Sequence, residues 1–242
     1  MRRLNGRRDS GFGPRYAGGR MEPVDLALCL AVDVSASVDY DEFGLMLGGY
    51  ASAFRDAEIA ALCAGGARGA VAVAVLFWSG GGPGPASGPE VAVPWARVDG
   101  AGAAAALADA LDAAPRLPQP GATALGEGMA AGLALLARCP APATRLVLDV
   151  SGDGRHNQGR PPGPVRDIGV AAGVTINALA VLNEEPDLLD HYRAEVIGGP
   201  GCFAMDCPDY AAFAAAIREK LRREVAGGLL LSRADGLSPL PT

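Results

Sequence analysis

Apolar runs alternate with amphipathic stretches along the chain from about residue 25 onward. The first run, residues 26–32, is apolar at every position, which is typical of a central parallel strand buried on both faces. Beyond it, Asp39 precedes Glu42 by three positions, a spacing that caps helices, and apolar residues then recur at helical intervals. This alternation predicts strand–helix–strand units around a mostly parallel sheet.

Five further apolar runs complete a predicted six-stranded sheet. These runs cover residues 70–78, 91–95, 145–150, 174–182 and 202–206. Pro94 indicates that the second of them is an edge strand, because proline donates no hydrogen bond to a neighbouring strand. The later helices are predicted at residues 100–114, 124–138, 163–172, 186–194 and 208–225. We therefore expect a doubly wound α/β fold, Rossmann-like, whose mostly parallel six-stranded sheet has one antiparallel edge strand.

The two ends of the chain differ from this central region. Residues 1–23 predict a basic, disordered leader, residues 24–226 a single domain, and residues 227–242 a loose tail that begins at a glycine pair. The first twenty residues carry +5 and the whole chain carries −6, so the body carries −11. Because an acidic surface repels phosphate, we expect no nucleic-acid partner.

Simple patterns in the sequence argue against several other classes of protein. No apolar run approaches the roughly 18 residues that a membrane-spanning helix needs, so no transmembrane segment is expected. No apolar core of a secretory signal precedes Met21.

The five cysteines include no Cys-x-x-Cys pair, which argues against a zinc knuckle or a thioredoxin motif. For Cys202 and Cys207, a disulfide and two free thiols both stay open.

Oxygen-bearing side chains follow the predicted strands at the edge where open α/β sheets bind ligands. Asp33, Ser35 and Ser37 come directly after the first strand, and alternate positions point their side chains the same way. Thr123 precedes a helix, and Asp153 follows the strand at residues 145–150. Two carboxylates and three hydroxyls suit magnesium, which prefers oxygen ligands and keeps several waters. The pattern predicts one divalent-cation site.

The same five residues, in this order and on these elements, resemble the metal-ion-dependent adhesion site of von Willebrand factor A (vWA) domains. Four segments are also similar to a bacterial branch of such domains whose function is unknown: residues 31–38, 78–80, 149–154 and 196–201. The resemblance covers about residues 24–226. It implies strands ordered 3-2-1-4-5-6, and members of this family are often exported to the periplasm or secreted.

The resemblance also implies roles for the five residues. Ser35, Ser37 and Thr123 would contact the cation directly, while Asp33 and Asp153 would act mainly through waters and hydrogen bonds. The cation would be Mg²⁺, or Mn²⁺ or Ca²⁺ in its place. Since two carboxylates only neutralise a divalent ion, the metal would still accept an Asp or Glu carboxylate from a partner protein or peptide. The implied function is a binding module rather than an enzyme.

Three alternatives stand beside this interpretation. Asp33 and its two serines could simply cap a helix, although Asp39 already supplies a cap. A phosphoester hydrolase could use the same cation, with water activated near Asp153 and His156. A metal-free scaffold is the third.

Known catalytic motifs do not support an enzyme. Ser35 stands where an aspartyl-phosphate phosphatase needs a second Asp, and Glu127 stands where a phosphate loop needs Lys. Ser151 lacks the preceding glycine of a nucleophile elbow. Asp149 is interpreted as a carboxylate at the edge of the core or behind the site.

Overall fold

The structure is a computed structural model that describes residues 20–80, 88–116 and 121–234, with side chains as far as residue 227. Most of the predicted leader, much of the loop before the edge strand, and the tail from residue 235 lie outside the described residues. The predictions of a disordered leader and a loose end to the tail therefore stay predictions. None of the helices in the described ranges is long and apolar enough to cross a membrane.

Six strands form one sheet in the order β3-β2-β1-β4-β5-β6. The strands are β1 (Val24–Asp33), β2 (Val71–Trp78), β3 (Glu90–Val98), β4 (Ala143–Gly152), β5 (Val174–Val181) and β6 (Ala204–Cys207). All neighbours pair in parallel except β2 and β3, which pair antiparallel at the edge. The predicted strand order and the antiparallel edge strand are both confirmed.

Helices cover both faces of the sheet. They are α1 (Tyr40–Arg55), α2 (Ala57–Cys63), α3 (Ala101–Asp112), α4 (Leu125–Leu136), α5 (Pro162–Ala171), α6 (Leu188–His191) and α7 (Phe213–Ala234). Helices α1, α2, α3 and α7 pack together on one face, and α4 and α5 pack on the other. Alternate residues of the central strands enter two separate hydrophobic cores, with Leu28 in one and Cys29 in the other. This arrangement places β1 and β4 at the centre of the molecule.

Local signals in the sequence explain several helix ends. Asp39 and Glu42 form the predicted capping box, in which each side chain accepts a hydrogen bond from the backbone of the other. A separate short helix, α2, was not predicted. Asp56 ends α1 in an extended conformation, and its carboxylate accepts from the amides of Glu58 and Ile59 to start α2.

The last third of the chain departs from the predicted boundaries. Helix α7 begins at Phe213 rather than near Pro208, because residues 208–212 form turns in which the Asp209 carboxylate accepts from the Ala212 amide. Helix α7 also continues through Gly227 and Gly228 to Ala234. A helical glycine costs only about 1 kcal/mol relative to alanine, so a pair of them need not end a helix. The predicted helix at residues 186–194 is α6 followed by a π-helical turn, Tyr192–Val196.

Candidate metal centre

The five predicted site residues lie together at the carboxyl end of β1 and β4. Asp33 is the last residue of β1, and Asp153 directly follows β4. Asp33, Ser35 and Asp153 are almost completely buried, and Thr123 is 6% exposed. Ser37 is the exposed member of the set. The side of the cluster that faces solvent is therefore the side on which Ser37 lies.

Hydrogen bonds connect four of these residues directly. Ser35 donates its backbone N–H to Asp33 Oδ1 over 2.8 Å. The hydroxyl oxygens of Ser35 and Ser37 lie 3.1 Å apart. Ser37 Oγ donates to Asp153 Oδ1 over 2.8 Å, although the two residues are 116 positions apart in sequence. The alternating Asp-x-Ser-x-Ser segment thus turns its oxygens toward the end of β4.

Thr123 is held against the same cluster by its backbone. Its N–H donates to Asn157 Oδ1 over 2.9 Å, and the Asn157 N–H donates back to the Thr123 carbonyl over 3.0 Å. A Cβ atom built on Gly154 would lie 3.3 Å from Thr123 Oγ1, so the threonine hydroxyl packs beside the residue that follows Asp153. The Ala36 N–H donates to the Gly121 carbonyl over 2.8 Å, which ties the serine loop to the threonine segment.

Two buried carboxylate oxygens in this cluster lack a protein partner. Neither Asp33 Oδ2 nor Asp153 Oδ2 meets the geometry of a hydrogen bond with any described residue, although the nearby Tyr210 hydroxyl lowers the pKa of Asp153. Leaving buried polar atoms unpaired is costly, and a hydrated divalent cation would satisfy both. Among the described residues, no group of three or more His, Cys, Asp or Glu side chains is placed to hold a metal. The two aspartates therefore suffice for a hard cation only if the serine and threonine hydroxyls of the cluster also serve as ligands.

The electrostatics of the two aspartates favour the same interpretation. Burial and, after it, the nearby carboxylate of Asp153 raise the pKa of Asp33 from 3.8 to about 8, against the hydrogen bond from Ser35. Burial also raises the pKa of Asp153, which the hydrogen bond from Ser37 partly offsets. Two neighbouring buried carboxylates repel each other when both are ionised. A bound cation would reverse this penalty.

Three residues around the cluster were not predicted from the sequence. Tyr192, in the π-helical turn, is fully buried. Its hydroxyl, which no described residue pairs with, lies beside Gly152, and so does Asp33 Oδ2. Tyr210 is buried beside Asp153, on the other face of the sheet. Arg116 donates to the carbonyls of Ser35 and Val38, so it holds the serine loop from outside. Arg116 and Tyr192 do not follow a strand end, and the sequence spacing of Tyr210, three residues after β6, predicts the buried side of a helix instead.

The weaker candidates from the sequence have other partners. Glu127 accepts a hydrogen bond from Arg160 Nε over 2.9 Å, and this pairing lowers the Glu127 pKa. Asp149 lies inside the core rather than at its edge, fully buried and paired with Lys220. Among the described residues, all five cysteines are free thiols, which includes Cys202 and Cys207.

Comparison with known sequences gives one family and no function. A family model described as "Protein of unknown function (DUF1194)" matches residues 23–229. No match was found among curated proteins.

Solved structures with the same fold include adhesion and matrix proteins. The pilus adhesin SpaC from Lactobacillus rhamnosus GG matches with a TM-score of 0.59 and 17% identity, over 86% of this chain and 31% of that one. A von Willebrand factor type A protein from Catenulispora acidiphila matches with a TM-score of 0.57 and 18% identity, over 84% of this chain and 43% of that one. Proximal thread matrix protein 1 from the mussel byssus was solved with zinc in its metal-ion-dependent adhesion site (MIDAS). It matches with a TM-score of 0.57 and 15% identity, over 86% of this chain and 49% of that one. This chain thus covers 31–49% of the length of these solved chains, and the likeness shows a vWA-like fold.

Proposed function

The chain belongs to the DUF1194 family and has a vWA-like fold, and from this premise we propose that it is a non-enzymatic module that binds a partner through a divalent cation. Asp33, Ser35, Ser37, Thr123 and Asp153 would hold the cation. The observation that carries the proposal is the convergence of these side chains around two buried carboxylate oxygens to which no described residue forms a hydrogen bond of good geometry. The zinc-occupied site of the mussel protein supports a divalent metal in this fold.

Charge balance gives the chemistry of the partner. The two aspartates neutralise a divalent cation and the three hydroxyls add no charge, so the metal retains affinity for one more anionic oxygen. The exposed position of Ser37 leaves one side of the site open to a partner. We therefore propose that the ligand is an Asp or Glu carboxylate on a protein or peptide, with Mg²⁺ as the cation and Mn²⁺ or Ca²⁺ as substitutes. The pilus adhesins of the same fold are consistent with protein binding.

Calorimetric titration of the chelator-stripped protein with Mn²⁺ tests the cation site. Wild type is expected to bind one ion, and Thr123→Val, which removes only the hydroxyl oxygen, is expected to weaken binding by about tenfold or more. Thr175→Val is the matched control, since the Thr175 hydroxyl donates to the Pro200 carbonyl on the surface. A wild-type protein that binds none of Mn²⁺, Mg²⁺ and Ca²⁺ would overturn the proposal.

Asn157 gives a second test, because its hydrogen bonds to the site within the described part of the chain go to the Thr123 backbone. Asn157→Ala removes the acceptor of the Thr123 N–H and is expected to weaken Mn²⁺ binding by about tenfold, in the range seen when outer partners of ligands are removed. Asn183→Ala is the control, as Asn183 donates to Glu42 on the surface. Equal affinities for the two variants would show that Asn157 does not position Thr123.

A further inference from the structure

The chain contains a single lysine, and that lysine is completely buried. The other twenty basic residues are arginines. Lys220 lies on α7 with no exposed surface, facing β4. Its Nζ atom forms ion pairs with Asp149 Oδ1 and with Glu224 Oε1, the latter over 2.7 Å. Both carboxylates are also buried, at 0% and 1% exposure.

Neighbouring residues hold the side chains of Lys220, Asp149 and Glu224, here called the Lys220 cluster, in place. Asn177 Nδ2 donates to Glu224 Oε1 over 3.0 Å, and Asn177 Oδ1 accepts from the Phe203 N–H over 3.0 Å. Lys220 Nζ lies 5.7 Å from the centre of the Phe203 ring. An amine and a carboxyl group are therefore in fixed contact where water is excluded, with a second carboxylate touching the amine.

Burial changes the acid–base chemistry of these groups in opposite directions. It raises the pKa of Asp149 to about 8, together with the charge of Glu224, so the protonated acid is accessible near neutral pH. Burial acts to lower the pKa of Lys220, but its two carboxylate partners raise that pKa overall. A free amine thus depends on a partner that takes its proton, and Asp149, whose own pKa is raised, touches Nζ.

From this geometry we propose that Lys220 and Asp149 join through an amide bond between their side chains, with Glu224 as the proton carrier. A proton first passes from Nζ to the Asp149 carboxylate, which leaves a neutral amine, a neutral acid and an ionised Glu224. The lone pair of Nζ then attacks Cγ of the protonated Asp149, and an N–C bond forms. Glu224 takes a proton from the nitrogen and delivers it to the Asp149 hydroxyl as the C–O bond breaks. One water leaves, Glu224 returns to its starting state, and no oxidant or cofactor is needed.

Two physical factors favour this condensation inside the protein. Fixed contact between the reacting groups makes the step intramolecular, which removes most of its entropic cost. Exclusion of water from the cluster opposes hydrolysis of the product. The amide would tie α7 covalently to the central strand whose end carries Asp153.

Mass spectrometry of the denatured full-length chain tests the bond directly. The wild-type mass is expected to be lower than the sequence mass by one water molecule. Since Asp153-Gly154 can also lose water locally, the decisive observation is a joined pair of peptides after trypsin digestion. Residues 146–155 should be linked to residues 219–222, with no cleavage after Lys220. Two separate peptides, cleaved after Lys220, would overturn the proposal.

Two variants separate the roles of the reacting groups. Lys220→Arg keeps the positive charge but has no primary amine, and its mass is expected to equal its own sequence mass. Glu224→Gln keeps the size of the side chain but cannot carry the proton, and it is expected to leave the two peptides unlinked while circular dichroism shows a folded protein. Linked peptides in Glu224→Gln would overturn the role given to Glu224.

Discussion

Asp33→Asn is expected to abolish divalent-cation binding and to stabilise the cation-free protein at alkaline pH. Asparagine has nearly the same shape, and its Oδ1 can still accept the hydrogen bond from the Ser35 backbone. It removes the negative charge that a divalent cation needs, and a site left with one carboxylate holds such an ion poorly. It also removes one of two buried carboxylates that repel each other.

The pH dependence follows from the raised pKa of Asp33. In the unfolded chain this carboxyl loses its proton near its ordinary pKa of 3.8, whereas in the folded protein it keeps the proton up to about 8. Between these values the folded state binds more protons than the unfolded state, so stability falls as pH rises. A tenfold difference in proton affinity between the two states corresponds to about 1.4 kcal/mol, so the total loss is several kcal/mol above pH 8.

Thermal unfolding measured across this pH range, with and without Mn²⁺, checks the expectation. Cation-free wild type should lose stability as pH rises, and Asp33→Asn should lose less. Saturating Mn²⁺ should restore the stability of wild type but not change that of Asp33→Asn. Asp99→Asn, at an exposed aspartate that pairs with Arg97, is the control and should behave like wild type. Wild-type Mn²⁺ affinity in Asp33→Asn would contradict the proposed site.

Lys220→Met is expected to destabilise the protein by about 3–5 kcal/mol, the usual cost of removing one partner of a buried ion pair. Methionine fills similar space, so the loss comes from the charges that remain. Asp149 and Glu224 would then be buried side by side without a cation, and both would have to be protonated in the folded state. The same direction is expected if Lys220 and Asp149 form an amide, because the variant also loses that link.

Denaturant unfolding at neutral pH measures this loss. Arg222→Met is the matched control on the same helix, because Arg222 forms an exposed pair with Glu219 that is worth less than about 1 kcal/mol. Combining Lys220→Met with Asp149→Asn and Glu224→Gln removes the stranded charges and should recover part of the stability. Equal losses for Lys220→Met and Arg222→Met would show that the buried cluster contributes little.

The alternation of apolar and amphipathic segments was enough to predict the sheet and most of its helices. Strands β1, β2, β4 and β5 lie within a few residues of their predictions, since continuous apolar runs between polar turns have few other solutions. Pro94 identified the edge strand. The errors lie at α2 and at the start of α7, where one aspartate side chain, Asp56 or Asp209, caps a turn that the apolar pattern does not reveal.

The sequence by itself determined the fold class and, through its family resemblance, the strand order. It also determined which oxygen-bearing side chains lie at one edge of the sheet. It did so because strand ends and side-chain alternation are local properties of the chain. Only the tertiary structure decided that Ser37 donates a hydrogen bond to Asp153 and that Asn157 accepts one from the Thr123 backbone. The same holds for the buried ion pair between Lys220 and Asp149. These contacts join residues that are distant in sequence, and the charge and burial of each partner depend on the other, so no local pattern carries them.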